Sequence, residues 1–246
     1  MLKKIDLIFL KSGIYKADYV YIYSDFTTFF KHNKKNHKNS VKFFLNLFIK
    51  KGITCVVPAF SYTTNGNFIV EKTKSKVGFL ANFVMNNFKY ERSEHPLFSF
   101  VSIGKNKKIV KNIGKSAFGN DCVHSRLYKQ KAVFLNLFRP LKKGNTLVHH
   151  IEQKNKAKYR FDKKFSTKVI KNKKFVGKNF KAYVRKFMHR KEDAFTFRKI
   201  YKDLLKKDFV FRDKIQGSNI FIYGYDDLYN YLNKTYEKDK FIFINK

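Results

Sequence analysis

The chain has 246 residues, of which 43% are hydrophobic and 29% charged, a balance that excludes a disordered polypeptide and suits one large domain. Its 54 Lys and Arg against 18 Asp and Glu give a formal charge of +36, which repels polycations and steers anions inward. Two cysteines, Cys55 and Cys122, with no CxxC pair, exclude a disulfide framework and a zinc ribbon and point to a reducing compartment.

Residues 1–16 read as a short amphipathic helix ending near Ser12-Gly13. Its start is basic, but Asp6 interrupts the apolar run and Lys11 ends it, too short for a signal peptide. No run approaches the roughly 18 apolar residues of a spanning helix. A cytoplasmic protein with no membrane partner is expected.

Residues 18–24 (DYVYIYS) are aromatic and β-branched, a strand, and Asp25 is suited to cap the helix that follows. Residues 40–51 carry Val41, Phe44, Leu45 and Phe48 at helical spacing, closed by Gly52. Residues 53–57 form a continuously apolar strand that Pro58 ends. Residues 59–67 are a loop, 75–88 a second amphipathic helix, 98–103 a strand stopped by Gly104, and 107–113 a short helix. A turn at 118–121 precedes a helix over 122–128, then a buried strand over 132–138. Asn145 or Thr146 caps the next helix.

The last third reads differently: antiparallel β over 159–186, a helix over 192–207 with Phe197, Ile200, Tyr201, Leu204 and Leu205 on one face, a hairpin around Gln216-Gly217-Ser218, and a helix over 225–236. Alternating strands and helices predict an α/β fold, layered α/β/α with a mixed central sheet and a smaller antiparallel β plus helix C-terminal part. One domain is expected, with residues 1–158 as the α/β core and 159–246 completing it.

The lysines are scattered along the chain rather than gathered on one arm. Lys, Asn, Ile, Phe and Tyr are abundant while Pro, Met and Trp are scarce, which marks an AT-rich coding bias. The charge is therefore read as a solvated basic face with local anion sites, and no nucleic-acid partner is expected.

Three constellations carry chemistry. His149 and Glu152 lie three apart at a helix start and share a face. An acid that fixes the tautomer of a neutral imidazole makes a general base, and the helix dipole disfavours imidazolium there. HHxE lacks the HExxH zinc pattern and no third ligand is evident, so no metal is expected. Arg92-Ser93-Glu94-His95-Pro96 is a polar loop whose arginine could clamp a phosphate. Ser24-Asp25 ends a strand where open α/β sheets bind anions. GxGxxG, P-loop and GxSxG motifs are absent, and Cys122 beside His124 reads as a packed cysteine rather than a nucleophile.

In order and spacing these pieces resemble the aminoglycoside 3-N-acetyltransferase family, also called antibiotic N-acetyltransferases. The resemblance rests on VYIYSDF (20–26), VPAFSY (57–62), RSEHPLFS (92–99), the Phe118-Gly119 turn and Thr146-x-x-His149-x-x-Glu152. It implies acetyl transfer from acetyl-CoA to an amine, with His149 as base and Glu152 either orienting the ring or touching the substrate. It further implies cofactor contacts from Ser24, Asp25, Phe26, Thr27, Arg92, Ser93 and Ser99; Tyr62, His95 and Thr146 are expected at the substrate, and Arg185, with the basic residues near it, at a phosphate that the substrate carries. A homodimer is allowed for. The chain departs from the family pattern at Tyr23, Cys122 and Asn136.

The charge conflicts with a polycationic antibiotic as acceptor, so an amino sugar on an anionic carrier, such as a nucleotide-linked sugar, is the expected substrate. The alternatives are an aminoglycoside acceptor, a nucleic-acid-binding module and an inactive family member.

Overall fold

The apolar strands of the first half become the centre of one twisted sheet. In the computed structural model, which describes residues 2–26, 30, 37–186 and 196–244, seven strands take the order β11-β12-β6-β1-β2-β5-β4. The strands are β1 (Tyr19–Ser24), β2 (Thr54–Pro58), β4 (Glu91–Arg92), β5 (Phe100–Ile103), β6 (Val133–Leu137), β11 (Phe211–Ile215) and β12 (Ser218–Gly224). β1 runs parallel to both β2 and β6, while β5 and β12 flank this trio antiparallel. All five residues of β2 are buried, as a strand covered on both faces requires.

Alternation along the strands sorts the core into two layers. Val20, Ile22, Cys55, Val57, Leu135 and Leu137 face α1 (Leu2–Ser12), α2 (His37–Ile49) and α3 (Phe79–Asn87). Tyr21, Val56, Phe134 and Tyr223 face α4 (Val123–Lys129), α5 (Leu147–Lys154) and α7 (Tyr225–Lys238). The result is the layered α/β/α architecture with a mixed sheet. Two small sheets complete it. β7 (Arg160–Phe165) pairs antiparallel with β10 (Phe180–Arg185), and β3 (Asn67–Ile69), β8 (Lys168–Lys171) and β9 (Lys174–Gly177) form the other. No helix among the described residues is long and apolar enough to cross a membrane.

Local signals hold at several ends. Gly52 closes α2 with φ +78° and a bond from its N–H to Ile49 O. Gly104 ends β5 at φ +109°, where an added Cβ would stand 2.5 Å from Ile53 O. Elsewhere tertiary bonds override the pattern. The helix expected over 192–207 shrinks to α6 (Tyr201–Leu204), with 192–195 outside the described residues. Thr196 and Phe197 instead donate their N–H groups to Phe243 O and Lys142 O, which removes the first turn. The helix expected over 75–88 starts only at Phe79, because Ser75 Oγ and its backbone are held in a turn by Val77 and Asn82. The segment expected as a helix over 107–113 is a single 3-10 turn, Lys107–Val110. The short strand β3 escaped prediction, since its pairing with β8 is parallel and about 100 residues distant.

Candidate active site

α5 brings the central pair together. Asn145 Oδ1 accepts the Leu147 N–H at 3.0 Å, so Asn145 supplies the helix cap that residues 145–146 were expected to share. Thr146 takes helical angles and makes no capping bond. One turn on, His149 and Glu152 share a face: His149 Nδ1 lies 2.9 Å from Glu152 Oε2.

Glu152 is fully buried, and its second oxygen accepts the Tyr159 hydroxyl at 2.8 Å. Arg160 Nη2 stands 2.9 Å from Glu152 Oε2 and 3.1 Å from His149 Nδ1. Burial pushes the Glu152 carboxyl up, but the His149 and Tyr159 hydrogen bonds and Arg160 outweigh it and hold it below the ordinary value. If His149 donates its Nδ1–H to the anionic Glu152, the lone pair of the ring lies on Nε2. Burial, then Arg160, lower His149 to about 4 against the pull of Glu152. The neutrality expected from the helix dipole thus has another origin, desolvation plus a neighbouring guanidinium. Phe118 packs edge-on to the ring, centroids 5.2 Å apart. Arg185 is near enough to disfavour imidazolium, and its β10 position pairs with Arg160.

Tyr159, Arg160 and Phe118 escaped the sequence reading as site residues. Tyr159 and Arg160 sit where β7 begins, and nothing in a basic β segment marks two residues that fold back under a helix.

A second neighbourhood opens at the carboxyl ends of the parallel strands β1, β2 and β6, where the chain leaves β1 for α2 on one face of the sheet and β6 for α5 on the other, the usual crevice for ligands. A cavity of about 260 Å³ there is lined by Ser24, Tyr62 and Thr146, together with Tyr23 and Arg139, against apolar residues such as Leu80. His149 is not among its lining residues; Thr146, one turn earlier on α5, is. Thr146 Oγ1 lies 3.3 Å from His124 Nε2, and His124 Nδ1 lies 2.5 Å from Tyr225 Oη. Tyr225 is fully buried. If it donates to Nδ1, His124 donates to Thr146, and the Thr146 hydroxyl proton is left to point elsewhere.

Several expected contacts have other work. Arg92 was expected at a phosphate, but it is 2% exposed. Its guanidinium reaches Ser99 Oγ at 3.1 Å, Val70 O at 3.1 Å and Ala59 O at 2.9 Å, with Thr73 O as a further acceptor. Ser99 in turn donates to Ala59 O, and Ser93 Oγ accepts the Phe100 N–H. These three residues staple loops to the sheet, because a buried guanidinium finds backbone carbonyls nearer than any ligand. His95 was expected at the substrate. It is buried, with Nδ1 accepting the Leu97 and Phe98 N–H groups and Nε2 donating to Lys181 O. The Phe26 ring, expected near the cofactor, packs against Phe44 and Phe138 in the core. Asp25 follows β1 and bonds through its N–H to Leu137 O. Thr27 lies outside the described residues. Cys122 is buried at the start of α4, its thiol pushed up to about 12 chiefly by desolvation, which makes it a packed cysteine.

Buried histidines make stability pH-dependent. Burial lowers His95 and His149 to about 4, and lowers His124 and His150 as well. The unfolded chain then binds protons the fold refuses, so stability is full above the ordinary value of 6.5 and is lost as pH falls toward 4. Between pH 7 and 5, His95 and His149 should each remove about 2 kcal/mol. Urea midpoints measured across this window should drop steeply; a flat profile would show that these rings protonate within the fold.

A profile of the family described as aminoglycoside 3-N-acetyltransferase matches residues 53–237. Solved structures share the fold. Aminoglycoside acetyltransferase AAC(3)-IVa, an apoenzyme, superposes with a TM-score of 0.76 at 15% identity, covering 100% of this chain and 91% of that one. The YokD protein of Bacillus subtilis gives 0.77 at 16% identity, covering 98% and 94%. AAC-IIIb, in a binary complex with CoASH, gives 0.78 at 13% identity, covering 97% and 96%. No curated protein sequence matches.

Proposed function

Because the chain belongs to the aminoglycoside 3-N-acetyltransferase family and is an N-acetyltransferase using acetyl-CoA, we propose that it acetylates the amine of an amino sugar, with His149 as general base. The observation that carries this reading is the Tyr159–Glu152–His149 chain of hydrogen bonds, with Arg160 beside it. Glu152 holds the ring by Nδ1, and Nε2 takes the proton that the attacking amine must lose. The co-substrate supplies an activated thioester carbonyl. Ser24 and Asp25 at the end of β1 are its proposed contacts, with Thr27 following them in the chain. Ser24 lines a cavity that also presents the Thr146 hydroxyl and a cationic side chain, and this fits a phosphorylated anion. Tyr62 and Thr146, on the same cavity, and Arg185, beside the base, are the proposed acceptor contacts.

The charge around His149 favours an acceptor on an anionic carrier. Arg160 and Arg185 both act on His149, and Glu152 is already committed to Arg160, Tyr159 and His149. A polycation approaching such a site is repelled. The test is acetyl transfer from acetyl-CoA to a nucleoside-diphosphate amino sugar and to a kanamycin-type antibiotic. The nucleotide sugar should turn over faster; faster turnover of the antibiotic would overturn the acceptor assignment, and CoA binding without transfer to any amine would mark an inactive member.

A further inference from the structure

Arg139 is the cationic side chain of the cavity at the end of β1. It follows Phe138, whose φ of +63° turns the chain sharply after β6, and it lines the cavity with Tyr23, Ser24 and Thr146. Its guanidinium carbon lies 4.8 Å from the Tyr23 ring centroid. Its Nε is buried with no hydrogen-bond partner.

Three other described arginines are held by oxygen acceptors, although Arg160 shares a buried Nε without one. Arg92 is surrounded by carbonyl and hydroxyl oxygens, Arg126 holds Asp121 and three carbonyls, and Arg160 holds Glu152 and Tyr183 O. No ion pair among the described residues reaches Arg139. Arg139 is half-buried, and its Nε is the part withdrawn from water; an N–H so withdrawn without an acceptor is costly unless a ligand supplies one. Stacking on Tyr23 holds its plane and leaves the forked N–H edge to meet an oxyanion. The cavity suits this: apolar walls from Val57, Leu80 and Ala81, with hydroxyls and one cation as its polar part.

We propose that Arg139, stacked on Tyr23, is the receptor for a phosphate group of a bound substrate. The identity of that substrate rests on the acetyl-transfer reading, whereas the site itself rests on the cavity and on a guanidinium stacked within it whose Nε has no acceptor. The phosphate has two sources, the pyrophosphate of the CoA donor or the nucleotide carrier of the acceptor.

Calorimetric titration of the full chain tests the site without turnover. The probes are CoA, pantetheine, which lacks the phosphates, and UDP, against wild type, Arg139→Met and Arg139→Lys. Arg139→Met should bind CoA or UDP at least about ten-fold more weakly, with Arg139→Lys between and pantetheine unchanged. A loss confined to CoA assigns the site to the donor, and one confined to UDP assigns it to the acceptor's carrier. Equal binding of both by wild type and a folded Arg139→Met protein would overturn the proposal, as would an equal loss for pantetheine. Should the methionine variant not fold, Arg139→Gln carries the same comparison. A protein that transfers no acetyl group yet shows this pattern keeps the phosphate site and loses the functional reading; one that transfers acetyl groups with Arg139 irrelevant does the reverse.

Discussion

Replacing His149 with alanine should lower kcat/KM for acetyl transfer by about 10³-fold, within the range that a positioned general base supplies. The affinity for CoA, measured by calorimetry, should stay within about two-fold of wild type, because His149 does not line the cavity beside Ser24. Folding should persist as well. Glu152 keeps Arg160 at 2.9 Å and the Tyr159 hydroxyl at 2.8 Å after the imidazole is gone, so no buried charge is orphaned. The pattern separates a base from a structural histidine: a variant that loses Tm and activity in step would place His149 with His95, among the histidines that hold the fold. Activity unchanged in a folded His149→Ala protein would remove the base from the mechanism altogether.

Replacing Arg92 with methionine should destabilise the protein by about 4 kcal/mol or more. The change strands the buried Val70 carbonyl and takes the guanidinium away from Thr73 O and from Ala59 O, which keeps only the Ser99 hydroxyl, and charged hydrogen bonds of this kind each contribute about 1.5–3 kcal/mol. It also removes the stacking of the guanidinium on Phe68, 4.8 Å from the ring centroid, which ties the sheet of β3 to the main one. For a chain of this size the melting temperature should fall by roughly 10 °C. A phosphate clamp would behave in the opposite way, with weaker CoA binding at unchanged Tm, and that outcome would return Arg92 to the cofactor.

The contrast between His149 and Arg92 explains how far the site could be read from the chain. The His149–Glu152 contact is local. Three residues apart on a helix brings two side chains together whatever the rest of the fold does. The central strands were legible for a similar reason: β1, β2 and β6 are covered on both faces and must be apolar over most of their length. Arg92 has the same chemical type whether it meets a phosphate or three carbonyls, and a motif cannot say which arrives. His95 is ambiguous in the same way, since a ring that binds a sugar and a ring that bonds Lys181 O have one letter. The helix expected over 192–207 had correct apolar positions, for Phe197, Ile200 and Leu204 are all buried. The backbone partners of Thr196 and Phe197 decided that Phe197 and Ile200 reach the core ahead of the helix rather than on it.

By itself, then, the sequence determined the α/β layering, the family resemblance and the candidate base with its acid, because hydropathy period and short spacing are properties of neighbours in the chain. Tertiary structure alone decided the rest of the constellation. It laid Tyr159 and Arg160 beneath Glu152, and Arg139 over Tyr23 in the cavity at the end of β1. It turned Arg92 inward as a staple. Each of these is a contact between segments whose approach is set by the packing of two cores on one sheet, and burial then settles whether a cation is satisfied by the backbone or left to await a ligand.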